Sequence, residues 1–264
     1  MAKQQDSTVR IASYNVNGIR AAERKGFSDW LRETAPDIVC LQETKAQPGQ
    51  MPDVYEELGY EVSWHSARKK GYSGVGILSK MKPERTEAGI GVDWIDEEGR
   101  FLCHEYAGFK VVSLYLPSGT TGSTRQELKM ESLEAMRAFG RRQLSDGKPV
   151  VLCGDYNIAH TALDVHAPKR LKNTSGFLPE ERAWFSEFLS LGYEDVFRAQ
   201  HPGQAELYSW WSYRAASKER NKGWRLDYHL AGNGMAGLAV HATIEKERNM
   251  SDHAPITVEY RLDA

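Results

Sequence analysis

The chain has 264 residues, of which 41% are hydrophobic and 27% charged, a composition typical of a globular protein with a sizeable core. Its net charge of −2 excludes a generally basic protein, so any contact with nucleic acid must come from local basic patches. No apolar run approaches the ~20 residues of a membrane span, and the polar N-terminal sequence does not resemble a secretory signal.

Apolar runs predict eight strands, and helical spacing or capping signals predict helices between some of them. The predicted strands lie, in chain order, at residues 9–13, 37–41, 75–78, 110–116, 150–153, 226–231, 238–242 and 256–260. Helices are predicted around residues 27–31, 123–144 and 179–192, and a hairpin turn at 231–237. We expect a loose or disordered tail at residues 1–8 and a single mixed α/β domain at 9–264.

Polar side chains follow several of these strands at the point where each strand ends. Asp155 and Asn157 come after a buried run, and side chains at i and i+2 of an extended chain point to one face. Asn15 and Asn17 repeat this spacing after the first strand. Ligands of open α/β sheets bind at the carboxyl ends of strands, so these residues predict one shared site.

Five more polar residues stand at predicted strand ends: Glu43, Tyr115, Asp227, Asp252 and His253. Each alone has an ordinary structural explanation, such as a helix cap or a core ring, but together they indicate a functional site. Carboxylate and amide oxygens suit Mg²⁺ or Mn²⁺. The sequence lacks the G-x-S-x-G, Walker and H-E-x-x-H motifs. We therefore predict a metal-dependent phosphodiester or phosphomonoester hydrolase.

Nine motifs in series resemble the exonuclease III class of abasic-site DNA repair enzymes, within the endonuclease/exonuclease/phosphatase superfamily. They are NVNGIRA, QETKA, YSGVGILSK, YLPSG, GDYNIAH, NTSGFLPEER, WWSYR, NKGWRLDYHL and SDHAP. The resemblance implies a four-layered α/β sandwich, in which two mixed β-sheets pack face to face with helices outside. It also implies cleavage of duplex DNA 5′ to abasic sites, 3′–5′ exonuclease activity and removal of groups that block 3′ ends.

The resemblance also implies a role for each matching residue. Glu43 is expected to be the main Mg²⁺ ligand, with Asn17 and Asp252 close to the metal and Mn²⁺ able to substitute. Asp155, held by Asn157, is expected to activate water. The other implied residues are His253 on the phosphate, Asp227 paired to it, Tyr115 and Asn15 in the phosphate or metal shell, and Lys45, Lys70, Ser118, Trp210, Arg214, Trp224 and Leu226 on the substrate.

Substrate selection is expected from an apolar pocket and three basic loops. Trp210, Trp224 and Leu226 match positions where the family holds a flipped-out baseless sugar, which costs less to extrude than a stacked nucleotide. The basic segments at 68–70, 169–172 and 212–225 are expected to grip duplex DNA. The departures from the family pattern are Ser118, where several relatives carry Asn, and His166, Leu171 and Thr174.

Two other functions fit part of the sequence. A phosphatase for inositol phosphates or sphingolipids would keep Glu43, Asp155 and His253 but would not need Trp224. A binding module with a dead site would have lost an acid, and none is missing. Within the family, the alternative is a member specialised in 3′-end processing with little abasic-site cleavage.

The cellular setting is predicted from the cysteines and the family. Cys40, Cys103 and Cys153 form no C-x-x-C pair, which fits buried thiols in a reducing compartment. We expect a monomer in a bacterial-type cytoplasm, acting on duplex DNA with abasic sites or blocked 3′ ends. No membrane and no obligate protein partner is expected.

Overall fold

The computed structural model describes residues 7–262, so most of the predicted tail lies outside the described residues. The strands are β1 (Ser7–Asn15), β2 (Ile38–Gln42), β3 (Glu61–His65), β4 (Val75–Ser79), β5 (Arg85–Ala88), β6 (Phe101–Glu105), β7 (Lys110–Tyr115), β8 (Val150–Asp155), β9 (Tyr193–Asp195), β10 (Asp227–Gly232), β11 (Ala239–Ile244) and β12 (Ile256–Leu262). The tail prediction is wrong at residues 7 and 8, which already belong to β1.

Eight α-helices connect these strands within the described residues. They are α1 (Ile19–Glu23), α2 (Phe27–Thr34), α3 (Val54–Glu57), α4 (Asp93–Glu97), α5 (Ser123–Leu144), α6 (Pro168–Leu171), α7 (Pro179–Leu189) and α8 (Val196–Gln200). The helices predicted around 27–31, 123–144 and 179–192 are confirmed as α2, α5 and α7. No helix of residues 7–262 is long and apolar enough to span a bilayer.

The strands form two six-stranded mixed sheets with the same order of pairings. The first runs β11-β12-β1-β2-β4-β3 and the second β5-β6-β7-β8-β10-β9. In each sheet the middle pair is parallel, β1 with β2 and β7 with β8, and the other neighbours are antiparallel. The carboxyl ends of the four parallel strands therefore lie at the edge where β10 and β12 begin.

The sheets pack face to face, and helices cover both outer faces. One core cluster between the sheets includes Ile11 and Ile38 of the first sheet and Val151 of the second. A second cluster joins the outer face of the second sheet to α5 and α7, and a third joins the first sheet to α1, α2 and α3. The predicted four-layered α/β sandwich is confirmed.

Four strands, β3, β5, β6 and β9, were not predicted from the sequence. Every residue of β5 is exposed and β3 is only partly covered, so neither shows the continuous apolar run of a strand buried on both faces. β9 has three residues, too few for a periodic signal. The central strands β2, β4, β7 and β8, whose residues are nearly all buried, were predicted.

The hairpin predicted at residues 231–237 is wrong. β10 pairs with β8 and β9 in one sheet, whereas β11 pairs with β12 in the other. The Asn233–Gly234 pair does have the left-handed backbone of a tight turn. A short 3₁₀ helix (Met235–Leu238) follows, with Met235 buried, and it carries the chain between the sheets.

Candidate active site

A cavity of about 340 Å³ opens at the edge where the parallel strands of both sheets end. Among the described residues it is lined by Glu43, Tyr115, Ser118, Thr120, Asp155, Asn157, Thr174, Ser175, Gly176, Trp210, Trp224, Leu226, Asp252 and His253. Ten of the sixteen site residues predicted from the sequence therefore meet in one cavity. The structure brings these strand-end residues together at one edge, and their roles stay predictions.

Asp155 and Asn157 do come together, although not as neighbours on one face of an extended strand. β8 ends at Asp155, and Asn157 has a left-handed backbone with φ of 52°. The Asn157 amide N–H donates a 2.8 Å hydrogen bond to Oδ1 of Asp155, the Asx turn that aspartate favours at strand ends. The Asn157 side chain donates to the Leu116 carbonyl at 2.9 Å, which ties the ends of β7 and β8 together.

The same turn recurs at the end of β1. Asn17 has φ of 46°, and its amide donates a 3.0 Å hydrogen bond to Oδ1 of Asn15. Nδ2 of the buried Asn15 donates to Oε1 of Glu43 at 2.8 Å and to Oδ2 of Asp155 at 2.9 Å. Asn15 therefore connects the carboxylates of the two sheets, while its place in a metal shell stays a prediction.

Three ligand atoms, one each from Glu43, Asp155 and His253, lie within 4.8 Å of one another and could hold a metal ion. The ammonium of Lys45 already contacts Oε2 of Glu43 at 2.8 Å and also Oδ1 of Asn17. A cationic group thus sits on the two oxygens for which the sequence predicts a metal. Oxygen donors of this kind fit a hard divalent cation.

Asp252 adjoins this group from the loop before β12. Its Oδ1 accepts a 2.9 Å hydrogen bond from Nδ2 of Asn17, and its Oδ2 accepts a 3.0 Å bond from the Trp210 indole. Burial alone would raise the pKa of Asp252, but His253 and these two hydrogen bonds hold it below its usual value. Asp252 is therefore ionised at neutral pH and adds a fixed negative charge beside Asn17.

The His253 ring lies between two buried carboxylates. Nδ1 is 2.8 Å from Oδ2 of Asp227, and Nε2 is 3.8 Å from Oδ2 of Asp155. Burial would lower the pKa of His253, but the attraction of Asp227 outweighs it and raises the pKa to about 10. Ser209, which sequence reasoning missed, donates a 2.6 Å hydrogen bond to the same Asp227 oxygen. The ring is therefore cationic at neutral pH.

Asp155 lies at the bottom of the site and is almost completely buried. Burial, together with repulsion from Asp227, raises its pKa to about 7 against the opposing effect of His253. A cation bound at Glu43 would favour the ionised form. Asp155 is thus a carboxylate that can accept a proton near neutral pH.

Tyr115 ends β7 and presents its phenol to the cavity. The guanidinium of Arg100 lies 4.6 Å from the centre of the Tyr115 ring, and its Nη1 donates a 2.8 Å hydrogen bond to the Tyr115 carbonyl. Burial raises the pKa of Tyr115 well above its usual value, so the phenol remains a hydrogen-bond donor. Arg100 is buried and ion-paired with Glu98, and no motif in the sequence marked it.

An apolar wall completes the cavity beside the charged groups. Trp224 and Leu226 are 8% and 7% exposed and cluster with Ala159, Val165 and Phe177, with Trp210 packed against them. Gly176 faces Trp224: a Cβ at Gly176 would lie 3.4 Å from the indole ring. The two tryptophans are therefore core aromatics and cavity walls at once.

Several predicted substrate contacts lie outside this cavity. Lys70 and Arg214 are exposed on loops and do not line it. Arg225, the last cation of the basic segment at 212–225, is not available for contact with DNA. That guanidinium is fully buried and forms ion pairs with Asp164 and Asp195 at 2.7 Å, because an internal acid pair needs a compensating cation.

Comparison with known proteins places this geometry in a family. Residues 12–253 match the model of the Endonuclease/Exonuclease/phosphatase family. The chain belongs to this family. It is 41% identical to an exodeoxyribonuclease of Bacillus subtilis, over 94% of this chain and 98% of that protein. It is 36% identical to a DNA-(apurinic or apyrimidinic site) endonuclease of Dictyostelium discoideum, over 99% of this chain and 73% of that protein.

Solved structures of the same family share the fold over nearly the whole chain. An AP endonuclease from Archaeoglobus fulgidus superposes with a TM-score of 0.88 at 32% identity, covering 96% of this chain and all of that one. A 3′ phosphatase from Neisseria, bound to a product DNA hairpin, superposes with a TM-score of 0.90 at 28% identity and the same coverage. The family thus includes members named for each of the two activities expected from the sequence.

Proposed function

We propose that this protein is a divalent-cation-dependent nuclease that cleaves duplex DNA on the 5′ side of abasic sites and also processes 3′ ends. The observation that carries the proposal is the cavity itself. An ionisable acid, a cationic imidazole and the carboxylate of Glu43, the proposed cation ligand, lie directly beside an apolar wall of two tryptophans and a leucine. A phosphatase for a small polar substrate would not require that wall.

The protein's own groups divide the reaction between them. Asp155, held by the Asn157 amide and by Asn15, takes the proton of the attacking water. The cationic His253, oriented by Asp227, offsets the negative charge that grows on the phosphate oxygens. The Tyr115 phenol, which also lines the cavity, donates a hydrogen bond to the phosphate.

The cation would be held by Glu43, with Asn17 and Asp252 beside it. When bound, Mg²⁺ polarises a phosphate oxygen and stabilises the leaving oxygen. Lys45 would then give up its contact with Glu43 and turn toward the DNA backbone. Mn²⁺ is expected to replace Mg²⁺, because Glu43, Asn17 and Asp252 offer the oxygen donors that suit both ions.

Substrate choice is assigned to the wall of Trp210, Trp224 and Leu226. A baseless sugar turned out of the helix fits a small apolar cavity, whereas a nucleotide with its base needs more room. Lys70 and Arg214, exposed on loops, are proposed to contact the backbone outside the cavity. A monomer acting in the cytoplasm on nucleoid DNA stays a prediction.

Three substrates in one assay test the proposal. The protein is incubated with Mg²⁺ and, in turn, a duplex with an internal tetrahydrofuran abasic analogue, a duplex with a 3′-phosphate, and an inositol phosphate. We expect an internal nick that leaves a 3′-hydroxyl, release of phosphate from the 3′ end, and no hydrolysis of the inositol phosphate. EDTA should abolish both DNA reactions, and Mg²⁺ or Mn²⁺ should restore them without added zinc.

Two outcomes would contradict the proposal in different ways. Release of 3′-phosphate without internal nicking would support the alternative, an enzyme specialised in 3′ ends. Thr174 lines the cavity and bears on which activity dominates. A bulky side chain in its loop would exclude an extruded sugar but still admit a 3′ terminus, and threonine is of intermediate size. Hydrolysis of the inositol phosphate with no reaction on either duplex would refute a DNA substrate altogether.

A further inference from the structure

A fully buried ion pair lies behind the cavity, between Lys129 of α5 and Glu181 of α7. Both side chains are 0% exposed, and Lys129 Nζ is 2.6 Å from Oε1 of Glu181. Burying two charges costs several kcal/mol of desolvation and is often no more stabilising than an apolar pair. Stability alone therefore does not explain the pair, and its other hydrogen bonds indicate what it does.

Glu181 holds the loop that forms one wall of the cavity. Its Oε2 accepts hydrogen bonds from the amides of Gly176 at 2.7 Å and Leu178 at 3.0 Å. Gly176 lies between the Asx turn of Asp155 and Asn157 and the apolar wall. A Cβ at this position would be 3.1 Å from the Asn157 carbonyl and 3.4 Å from Trp224. Movement of this loop would directly change the width of the cavity.

Lys129 holds the residue that orients Asp155. Its ammonium donates a 2.8 Å hydrogen bond to the carbonyl of Asn157, whose amide in turn bonds Asp155. Because Asn157 has a left-handed backbone, a charged donor on its carbonyl helps to keep that conformation. One ion pair thus connects the wall of the cavity to the turn that carries the acid.

Gln126 extends this unit to the loop after β7. Its Nε2 donates to Oε1 of Glu181 at 3.0 Å, and its Oε1 accepts from Oγ of Ser175 at 2.7 Å. A Cβ at Gly119 would lie 1.8 Å from the same Gln126 oxygen. Gln126 therefore packs directly against the loop that contains Ser118 and Thr120, which also line the cavity.

We infer that Lys129, Gln126 and Glu181 form a positioning unit that sets the width of the cavity and thereby the preference for an internal baseless sugar over a 3′ end. The inference rests on the proposed function. An extruded sugar has DNA on both sides and must fit against the part of the cavity wall where Gly176 packs on Trp224. A 3′ terminus can enter from one side, so it depends less on this width.

Glu181→Gln tests the inference with a matched control. The glutamine side chain has one oxygen where glutamate has two. If that oxygen accepts from the amides of Gly176 and Leu178, the glutamine NH₂ group must face the Lys129 ammonium, and both groups are donors. Asp146→Asn likewise removes the carboxylate partner of a buried lysine, Lys110, whose ammonium is 2.9 Å from it. Lys110 begins β7 at the edge opposite the cavity, so the control carries the same kind of change away from the site.

We expect Glu181→Gln to lower kcat/KM for incision of the tetrahydrofuran duplex by about tenfold to a hundredfold, as small misplacements at active sites do. Release of 3′-phosphate should fall by less than about threefold, and Asp146→Asn should leave the ratio of the two activities unchanged. A ratio in Glu181→Gln equal to that of the wild type would overturn the inference.

Hydrogen exchange separates this inference from the proposed function. The Gly176 and Leu178 amides should exchange at least about tenfold faster in Glu181→Gln than in Asp146→Asn, measured under conditions where both are folded. Unchanged exchange would overturn the positioning role whatever the substrate is. A wild-type protein that nicks no abasic duplex would instead refute the proposed function, and with it the link to substrate preference.

Discussion

Trp224 combines a place in the core with the role in substrate choice that we propose for it. Its side chain is 8% exposed, packs with Phe177 and Leu226, and lies against Gly176 at the wall of the cavity. Sequence reasoning identified it only through the family motif, because a tryptophan in an apolar run is usually a core residue. In the structure Trp224 belongs to an apolar cluster and also lines the cavity, so the two interpretations are compatible.

Replacing Trp224 by Ala should impair the internal cut more than the removal of a 3′-phosphate. Loss of an aromatic contact of this kind is worth about 1–3 kcal/mol, so kcat/KM for the tetrahydrofuran duplex should fall by roughly 5- to 150-fold. Trp94→Ala is the control, because Trp94 is half-buried and does not line the cavity. Equal losses on both substrates, or none, would count against the pocket.

The i, i+2 spacing of polar residues correctly predicted which side chains meet but not the backbone conformation through which they meet. The D-x-N and N-x-N pairs do meet, but through left-handed Asx turns, which spacing cannot distinguish from an extended strand end. Lys129 and Glu181 gave no signal, since a charged residue on a helix is usually solvated and the two lie 52 positions apart. Partners that meet only through the fold, such as Ser209 with Asp227, were equally hidden.

At the scale of elements, burial accounts for the prediction of the central strands, although the buried β6, whose apolar run ends at His104, was missed. Strands covered on both faces gave continuous apolar runs, whereas the exposed β5 and the partly covered β3 did not. The hairpin prediction failed because the Asn233–Gly234 turn leads into a 3₁₀ helix that crosses between sheets. Local turn chemistry does not specify the sheet that the next strand joins.

Buried imidazoles within the sheets make stability sensitive to acid. His229 of β10 is fully buried, with Nδ1 3.5 Å from Sγ of Cys153 and 3.4 Å from the Tyr260 hydroxyl. Burial lowers the pKa of His229 to about 3 and that of His104 to about 4. Below a pH of about 6.5 the unfolded chain binds protons at these positions that the folded chain does not, so stability falls as pH falls.

We expect His229→Leu to lower the slope of the free energy of unfolding against pH relative to the wild type, measured in urea between about pH 7.5 and about pH 5.5, because Asp155 and His253 contribute equally in both proteins. In the wild type, this residue removes up to about 1.4 kcal/mol per pH unit below about pH 6.5. His241→Gln, at an exposed position, should leave the slope unchanged. A wild-type slope retained in His229→Leu would contradict the burial argument.

At the scale of the whole molecule, the two sheets contribute to the site as equivalent halves. Their pairings have the same order, and β2 and β8 occupy the same place in it, as the shared DIVCLQET and VVLCGDYN patterns suggest. One half supplies Glu43 and the other Asp155, with Asn15 hydrogen-bonded to both. The proposed hydrolytic site therefore forms only when the two sheets pack together, because neither sheet alone supplies both Glu43 and Asp155.

The most direct test of the central claim is the single-turnover rate at which wild type and Asp155→Asn nick a tetrahydrofuran duplex with saturating Mg²⁺. Loss of the base should slow the nick by about 10²- to 10⁴-fold. The Kd for the same duplex should change by less than about threefold, because the basic loops and the apolar wall remain intact. A rate for Asp155→Asn equal to that of the wild type would contradict the account.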